Sequence, residues 1–151
     1  MDNRYMEQTI VIRPFVATDL ISSDQIFETL KALTAVSDIS PEKRSQIAEV
    51  LAKPPHYIFL AENDGVIIGT ITLFAEQKIA RGGRFCGHIE DVAVHADHQG
   101  KGIGSMLLTT AIEKARELKC YKVILDCSDA NMSYYEKFGF TKVENCMRID
   151  L

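Results

Sequence analysis

GHIEDVAVHADHQGKGIGSMLL, residues 87–108, reads as a buried strand, a polar glycine-rich loop and the start of a helix. Ile89, Val92, Ala93 and Val94 give the strand its apolar content. Gln99-Gly100-Lys101-Gly102-Ile103-Gly104 gives the loop, and Ile103, Leu107, Leu108, Ala111, Ile112, Ala115 and Leu118 then recur at helical spacing. A glycine loop feeding a helix N-terminus is suited to anions, because the first N–H groups of a helix have no internal partner and the dipole points its positive end the same way. The dipole alone contributes only ~0.3–1 kcal/mol, so several converging N–H groups are needed to hold a diphosphate. Glycine lets the backbone come that close. The spacing is neither G-x-x-x-x-G-K-[ST] nor G-x-G-x-x-G. It is Q-x-x-G-x-G, which by itself also reads as a flexible strand-to-helix turn.

The bulk properties narrow the classes. A chain of 151 residues, 46% hydrophobic and 25% charged, reads as one soluble domain spanning 1–151. No apolar run is long enough to span a bilayer, and MDNRYMEQTIVIR at the start has no apolar leader. The C-terminal Ile149-Asp150-Leu151 is not a peroxisomal signal. The net charge is −4 with no run of Lys or Arg, which argues against nucleic acid as a partner. An anionic ligand would have to be met by a local cluster. The four cysteines, Cys86, Cys120, Cys127 and Cys146, match no zinc spacing and read as free thiols in a reducing compartment. No metal is called for.

Taken in order, Thr9–Arg13 is a first strand ended by Pro14. Asp19 caps a helix whose stripe is Leu20, Ile26, Phe27, Leu30 and Leu33. Ser40-Pro41 starts a second helix with Ile47, Val50 and Leu51 as its apolar face, and Pro54-Pro55 stops it. His56–Glu62 and Val66–Ala75 flank the hairpin turn Asn63-Asp64-Gly65. Lys78–Arg84 is a basic connection to the strand Phe85–Val94. After the glycine loop and its helix come a strand over Tyr121–Cys127, a short helix over Ala130–Phe138, a break at Gly139-Phe140, and two short strand-like pieces in Thr141–Leu151. The pattern is a mixed α/β sheet.

Laid on that order, three stretches resemble the glucosamine-6-phosphate N-acetyltransferases, a branch of the GNAT superfamily. They are GHIEDVAV (Gly87–Val94), QGKGIGSMLL (Gln99–Leu108) and CYKVILDC (Cys120–Cys127). NMSYYEKFGF (Asn131–Phe140) continues the likeness, and LKALTAVSDISPE (Leu30–Glu42) is a weaker part of it. The resemblance implies a mostly antiparallel mixed sheet with helices on both faces. Its fourth and fifth strands, here Phe85–Val94 and Tyr121–Cys127, splay around the pantetheine arm of acetyl-CoA. The coenzyme would lie along Val92, Ala93 and Val94, in the manner of strand addition. Gln99, Gly100, Lys101, Gly102, Ile103, Gly104 and Ser105 would hold its diphosphate, and Asn131, Tyr135 and Lys137 would contact it beyond the second splayed strand.

The implied reaction is attack of a sugar 2-amine on the acetyl thioester. The amine must be neutral. Deprotonating a lysine at pH 7 would cost roughly 4–5 kcal/mol, from a pKa of ~10.4 and ~1.36 kcal/mol per unit. A sugar amine beside electron-withdrawing oxygens titrates nearer neutral, so a positioned acceptor suffices. Asp126 is the candidate acceptor; its other reading is a cap for the Ser128–Ala130 turn. Tyr135 is the candidate donor to the leaving thiolate, since a phenol stays protonated at neutral pH. Its other reading is a core aromatic beside Tyr134 and Phe138, and two adjacent tyrosines do not share one helix face. Glu90 and Asp91 are out of place in an apolar strand. Strict alternation aims them at opposite faces, whereas a bulge lets both meet sugar hydroxyls and orient the amine.

Lys78, Arg81, Arg84 and Arg148 are the cations available to the sugar phosphate, and sequence does not rank them. The resemblance pairs Arg148 with Thr34 as substrate contacts, although the chain after Met147 is less basic than the family's usual ending. His88 reads as structural, and Cys127 has no neighbouring histidine to activate it. The family also implies a cytoplasmic homodimer whose partner chain lines the sugar site, working in UDP-N-acetylglucosamine biosynthesis. Two other classes fit the same residues: a transferase acting on a protein or polyamine amine, and a non-catalytic acyl-CoA-binding module.

Overall fold

Alternating apolar β-formers build a single five-stranded sheet. The computed structural model describes residues 9–151; residues 1–8, and with them part of the reading that the chain starts without a leader, lie outside the described residues. Strands β1 (Ile10–Pro14), β2 (His56–Asn63), β3 (Val66–Gln77) and β4 (Phe85–Val94) pair antiparallel in chain order. Strand β5 (Lys122–Ile124) joins β4 in parallel and forms the edge of the sheet. This is the mixed, mostly antiparallel sheet expected. Asn63 closes β2, and Asp64 and Gly65 alone make the hairpin turn with φ of 48° and 81°. Two central residues with positive φ are what a tight hairpin requires.

Helices α1 (Thr18–Ile21), α2 (Gln25–Leu30) and α3 (Pro41–Leu51) cover one face, and α4 (Ile103–Glu117) covers the other. Adjacent strand residues point to opposite faces. Leu60 accordingly packs with Phe15, Leu20, Ile26 and Ala48, whereas Ala61 packs with Ile103, Leu107, Leu108 and Ala111. Gly69 lets α4 approach: a Cβ there would lie 2.9 Å from Leu107 Cδ1 and 3.1 Å from Ile103 Cγ2. On the other face, Gln25 Oε1 accepts from the Ile67 N–H at 2.9 Å, and Thr29, fully buried, donates to the Gln25 carbonyl at 2.9 Å. The first of these bonds fixes α2 to the sheet, and the second lies within the helix. The fifth helix, α5 (Asp129–Glu136), follows β5. No helix among the described residues is long and apolar enough to cross a membrane.

Four expectations are corrected. The helix expected to start at Asp19 is two short helices. Asp19 lies inside α1, its carboxylate taken by Arg13 at 2.8 and 2.9 Å and by the Val16 N–H at 2.8 Å. The chain then breaks at Ser22–Asp24, where Ser23 Oγ accepts from the Gln25 N–H at 3.1 Å, a local bond that competes with helix continuation. Val50 is 60% exposed, because the buried face of α3 centres on Ala48 with Ile47 and Leu51 beside it. The Ser40 cap is as expected, its Oγ accepting from the Lys43 N–H at 3.3 Å with Pro41 opening the helix. Strand β5 is three residues rather than seven, since the chain parts from β4 after Ile124. Thr141–Leu151 forms no strand: Val143, Met147, Ile149 and Leu151 are exposed and no strand of the sheet pairs with this segment.

Candidate active site

The seam between β4 and β5 is the centre of the site. Ladder pairing runs Cys86 to Lys122, Gly87 to Val123 and His88 to Ile124, and there it stops. Strand β4 runs on through Val94 with that edge unpaired, while residues 125–127 leave the sheet. Across β4 the register moves from Thr70 opposite Ala93 to Thr72 opposite Glu90. Three steps on β4 thus face two on β3, a bulge at Asp91 and Val92, with Asp91 at φ 50°. The bulge replaces strict alternation and leaves Glu90 and Asp91 both exposed.

Charge gathers at the mouth of the seam. Partial burial, then the neighbouring carboxylates of Asp91 and Asp126, push the Glu90 carboxyl above its ordinary value, with His88 pulling the other way. His88 is itself held, its Nε2 2.8 Å from Glu76 Oε2, and Glu76 Oε1 pairs with Lys78 Nζ at 2.6 Å. His88 thus ties β4 to Glu76 of β3. Asp126 does not cap α5: Ser128 occupies the cap position, and Asp126 Oδ2 accepts from the Cys146 thiol at 3.4 Å. That contact pushes the Cys146 thiol up. Cys146 had no sequence signal, since it lies twenty residues from its partner.

At the other end of the seam, Gln99 Nε2 donates to the Val94 carbonyl at 3.1 Å and ties the loop to the strand. Gly100 and Gly102 take φ of 75° and 79°, conformations that favour glycine, and a Cβ on either would meet nothing within 4 Å. The surface above them is open. Gly102 is the N-cap of α4 and no side chain caps it, so the first N–H groups of a fifteen-residue helix face that opening. An unpaired strand edge for amides and an uncapped helix start for a diphosphate fit the coenzyme A arm.

Helix α5 carries Asn131 and Tyr135, and Lys137 follows as its C-cap. Tyr135 is half-buried, and burial, then Tyr134 and Cys127, push its phenol up. Its ring stands edge-on to Tyr134 at 5.1 Å and to Phe140 at 6.0 Å. A cleft of about 730 Å³ brings Leu125, Asp126, Cys127, Tyr135 and Cys146 together on the β5 side of the seam. Gly100–Gly104 are not among its lining residues. Both tyrosines pack against the α4 core, and Tyr134 reaches the loop, its hydroxyl 3.5 Å from Ser105 Oγ. The cations are dispersed. Arg81, Arg84 and Lys122 surround the Tyr121 ring at 5.7–5.8 Å, at the start of β5. Lys122 lies ~13 Å of extended chain before Asp126, at ~3.3 Å per residue. Arg148 pairs with Asp150 at 2.7 Å on the surface, and Thr34 lies exposed just past α2.

Comparison with known proteins agrees with this geometry. The acetyltransferase (GNAT) family matches residues 23–140. A glucosamine 6-phosphate N-acetyltransferase of Schizosaccharomyces pombe is 51% identical over 89 residues, covering 58% of this chain and 80% of that protein. One from Candida albicans is 37% identical over 138 residues, covering 89% of this chain and 91% of its own. The crystal structure of glucosamine-6-phosphate N-acetyltransferase from Arabidopsis thaliana superposes with a TM-score of 0.87 at 31% identity, covering 95% of this chain and 99% of that one. With the opened seam, the uncapped glycine loop and a family match across most of its length, the chain belongs to the acetyltransferase (GNAT) family and is an acetyl-transferring enzyme.

Proposed function

We propose that the protein acts as a single domain, 1–151, which acetylates the 2-amine of glucosamine 6-phosphate from acetyl-CoA, giving N-acetylglucosamine 6-phosphate for UDP-N-acetylglucosamine biosynthesis. The carrying observation is the seam that opens past His88 and Ile124 with Glu90, Asp91 and Asp126 at its mouth. Relatives that bear this activity in their names support the choice of amine. Acetyl-CoA supplies an acetyl group already activated as a thioester. The chain supplies positioning and charge.

Val92, Ala93 and Val94 offer the open edge of β4, and the loop Gln99–Ser105 offers N–H groups to the diphosphate. Asn131 and Lys137 flank the coenzyme from α5. Glu90 and Asp91 hold the sugar and its amine, and their negative field favours a partly cationic nitrogen at the mouth of the seam. Asp126 accepts the proton that nitrogen gives up as it attacks. Tyr135, whose phenol is held protonated by burial, donates a hydrogen bond to the departing sulfur. Thr34 and Arg148 are the substrate contacts proposed for the phosphate end.

A homodimer is part of the reading. It is supported by the edge strand β5 and by exposed Met147, Ile149 and Leu151 alternating along the tail. Four free cysteines support a cytoplasmic setting, and the net charge of −4 supports a small-molecule substrate over nucleic acid or a membrane surface. The test is release of free thiol when acetyl-CoA and glucosamine 6-phosphate are both present, with polyamines and a lysine peptide as competing acceptors. Thiol release with those amines and not with the sugar phosphate would transfer the reading to another acceptor. Coenzyme binding without release by any amine would make this a binding module. In the same assay Tyr135→Phe lowers kcat about tenfold or more, toward the ~10²–10³-fold loss that removal of a developing-charge donor can give. The acetyl-CoA KM stays near that of the wild type, and unaltered kcat would remove Tyr135 from the mechanism.

A further inference from the structure

We propose that Tyr134 is a positioning residue for the coenzyme loop, its hydroxyl bracing the first turn of α4 through Ser105 and Gly104. This rests on the reading of Gln99–Ser105 as the diphosphate site. Three glycines punctuate that loop for two different reasons. Gly100 and Gly102 have positive φ and open space above them. Gly104 has neither: it lies in the first turn of α4, without positive φ. A Cβ on it would stand 2.9 Å from the Tyr134 hydroxyl, while the next atoms, Tyr134 Cζ and Val94 Cγ2, are 3.9 Å away. Among the atoms of the chain, that oxygen is the one a side chain at Gly104 would run into.

That oxygen is well placed to matter. It sits 3.5 Å from Ser105 Oγ, longer than the ~2.5–3.0 Å of an ordinary O–H···O bond, so the contact is a weak one. The ring that carries it is gripped between Tyr135 at 5.1 Å and Phe138 at 5.4 Å and packs on the α4 core. Its freedom is small, so the hydroxyl is held where it is. Through this contact α5, which presents Tyr135, is fastened to the turn that faces the diphosphate. Loss of the hydroxyl loosens the turn, and the effect belongs in coenzyme affinity. A neutral hydrogen bond contributes a net of ~0.5–1.5 kcal/mol, which is a weakening of about two- to tenfold.

The experiment is calorimetric titration of coenzyme A into wild type, Tyr134→Phe, Gly104→Ala and the double variant, with melting temperatures to report folding. Tyr134→Phe weakens binding about two- to tenfold, and the acetyl-CoA KM rises by the same factor while kcat at saturation changes less. Gly104→Ala weakens binding more, because its methyl group meets the hydroxyl. Adding Tyr134→Phe to Gly104→Ala restores affinity to the level of Tyr134→Phe alone, since the clashing oxygen is gone. Wild-type affinity in Tyr134→Phe, or an equal loss from Gly104→Ala in both backgrounds, would overturn the proposal and leave the functional reading standing. No binding by the wild type would instead remove the functional reading, and this proposal with it.

Discussion

Glu90 shows how a residue that burdens the fold can serve the site. Its carboxyl is partly buried near Asp91 and Asp126, and its ordinary ionisation is resisted in the folded state. An acid whose pKa rises on folding holds its proton more tightly when folded. Ionisation at neutral pH therefore works against the fold, and the penalty fades as pH falls through the raised value. Glu90→Gln should accordingly melt above the wild type at pH 7, with the gain shrinking toward zero below about pH 4, where the unfolded carboxyl is also protonated. The same variant should bind the amino sugar less well. A lower melting temperature at pH 7 would mean that Glu90 makes a net favourable contact. Glu90, Asp91, Asp126 and Tyr135 were legible in the sequence because acids in an apolar strand and a tyrosine in a family motif stand out locally. Tyr134 and Cys146 were not, because each gains its role from an element it meets only in space: Tyr134 from the turn at Gly104 and Ser105, Cys146 from Asp126.

Among the elements, Arg13 does the joining on the face opposite α4. From β1 it reaches Glu62 of β2 at 2.7 Å and Asp19 of α1 at 2.8 Å, and both partners raise its pKa. Asp19 is pulled up by burial, but Arg13 and the Val16 N–H outweigh that and leave its carboxyl below the usual value. A depressed acid contributes stability that is present above its unfolded pKa and lost as pH falls through the folded one. Arg13→Ala should cost roughly 1.5–3 kcal/mol, the range for hydrogen bonds to charged groups, and should flatten this part of the acid dependence. Denaturant melts at pH 7 and pH 3 measure both, and an unchanged midpoint would show the pairs to be inert. Sequence could not give the break between the two helices. The stripe expected over Leu20–Leu33 holds for Leu20 in α1 and for Ile26, Phe27 and Leu30 in α2, but Leu33 lies past α2 and is 49% exposed; Asp19, expected as a cap, is taken by Arg13 from the strand before it, and the helix breaks at the local Ser23–Gln25 bond. The turn at Asp64-Gly65, the Ser40 cap and the glycine loop were legible because each is decided within a few residues. The length of β5 was not, since pairing with a distant bulged strand decides it.

At the scale of the whole molecule, the sheet ends abruptly. A three-residue parallel strand is its last member, and an exposed strand edge is a template for pairing with another chain. Beyond it runs a tail without secondary structure, in which Met147, Ile149 and Leu151 alternate with polar residues and are exposed. Period-two apolar spacing is the pattern of a strand with one face to bury. A second copy of the chain can supply that face, and an extended segment adding to a sheet edge gains both ladder bonds and side-chain burial. The cleft at this edge holds Asp126, Tyr135 and the tail residue Cys146 together, so a partner strand added here would border the proposed site. Wild-type protein should sediment as a dimer at micromolar concentration. Ile149→Asp, which places a charge on the apolar face of the tail, should shift it toward the monomer and reduce acetyl transfer, while the melting of the core stays close to that of a wild-type sample diluted below its dimer dissociation constant. A wild type that is monomeric while turning over fully would show that the tail closes on its own chain, and that one copy completes the site.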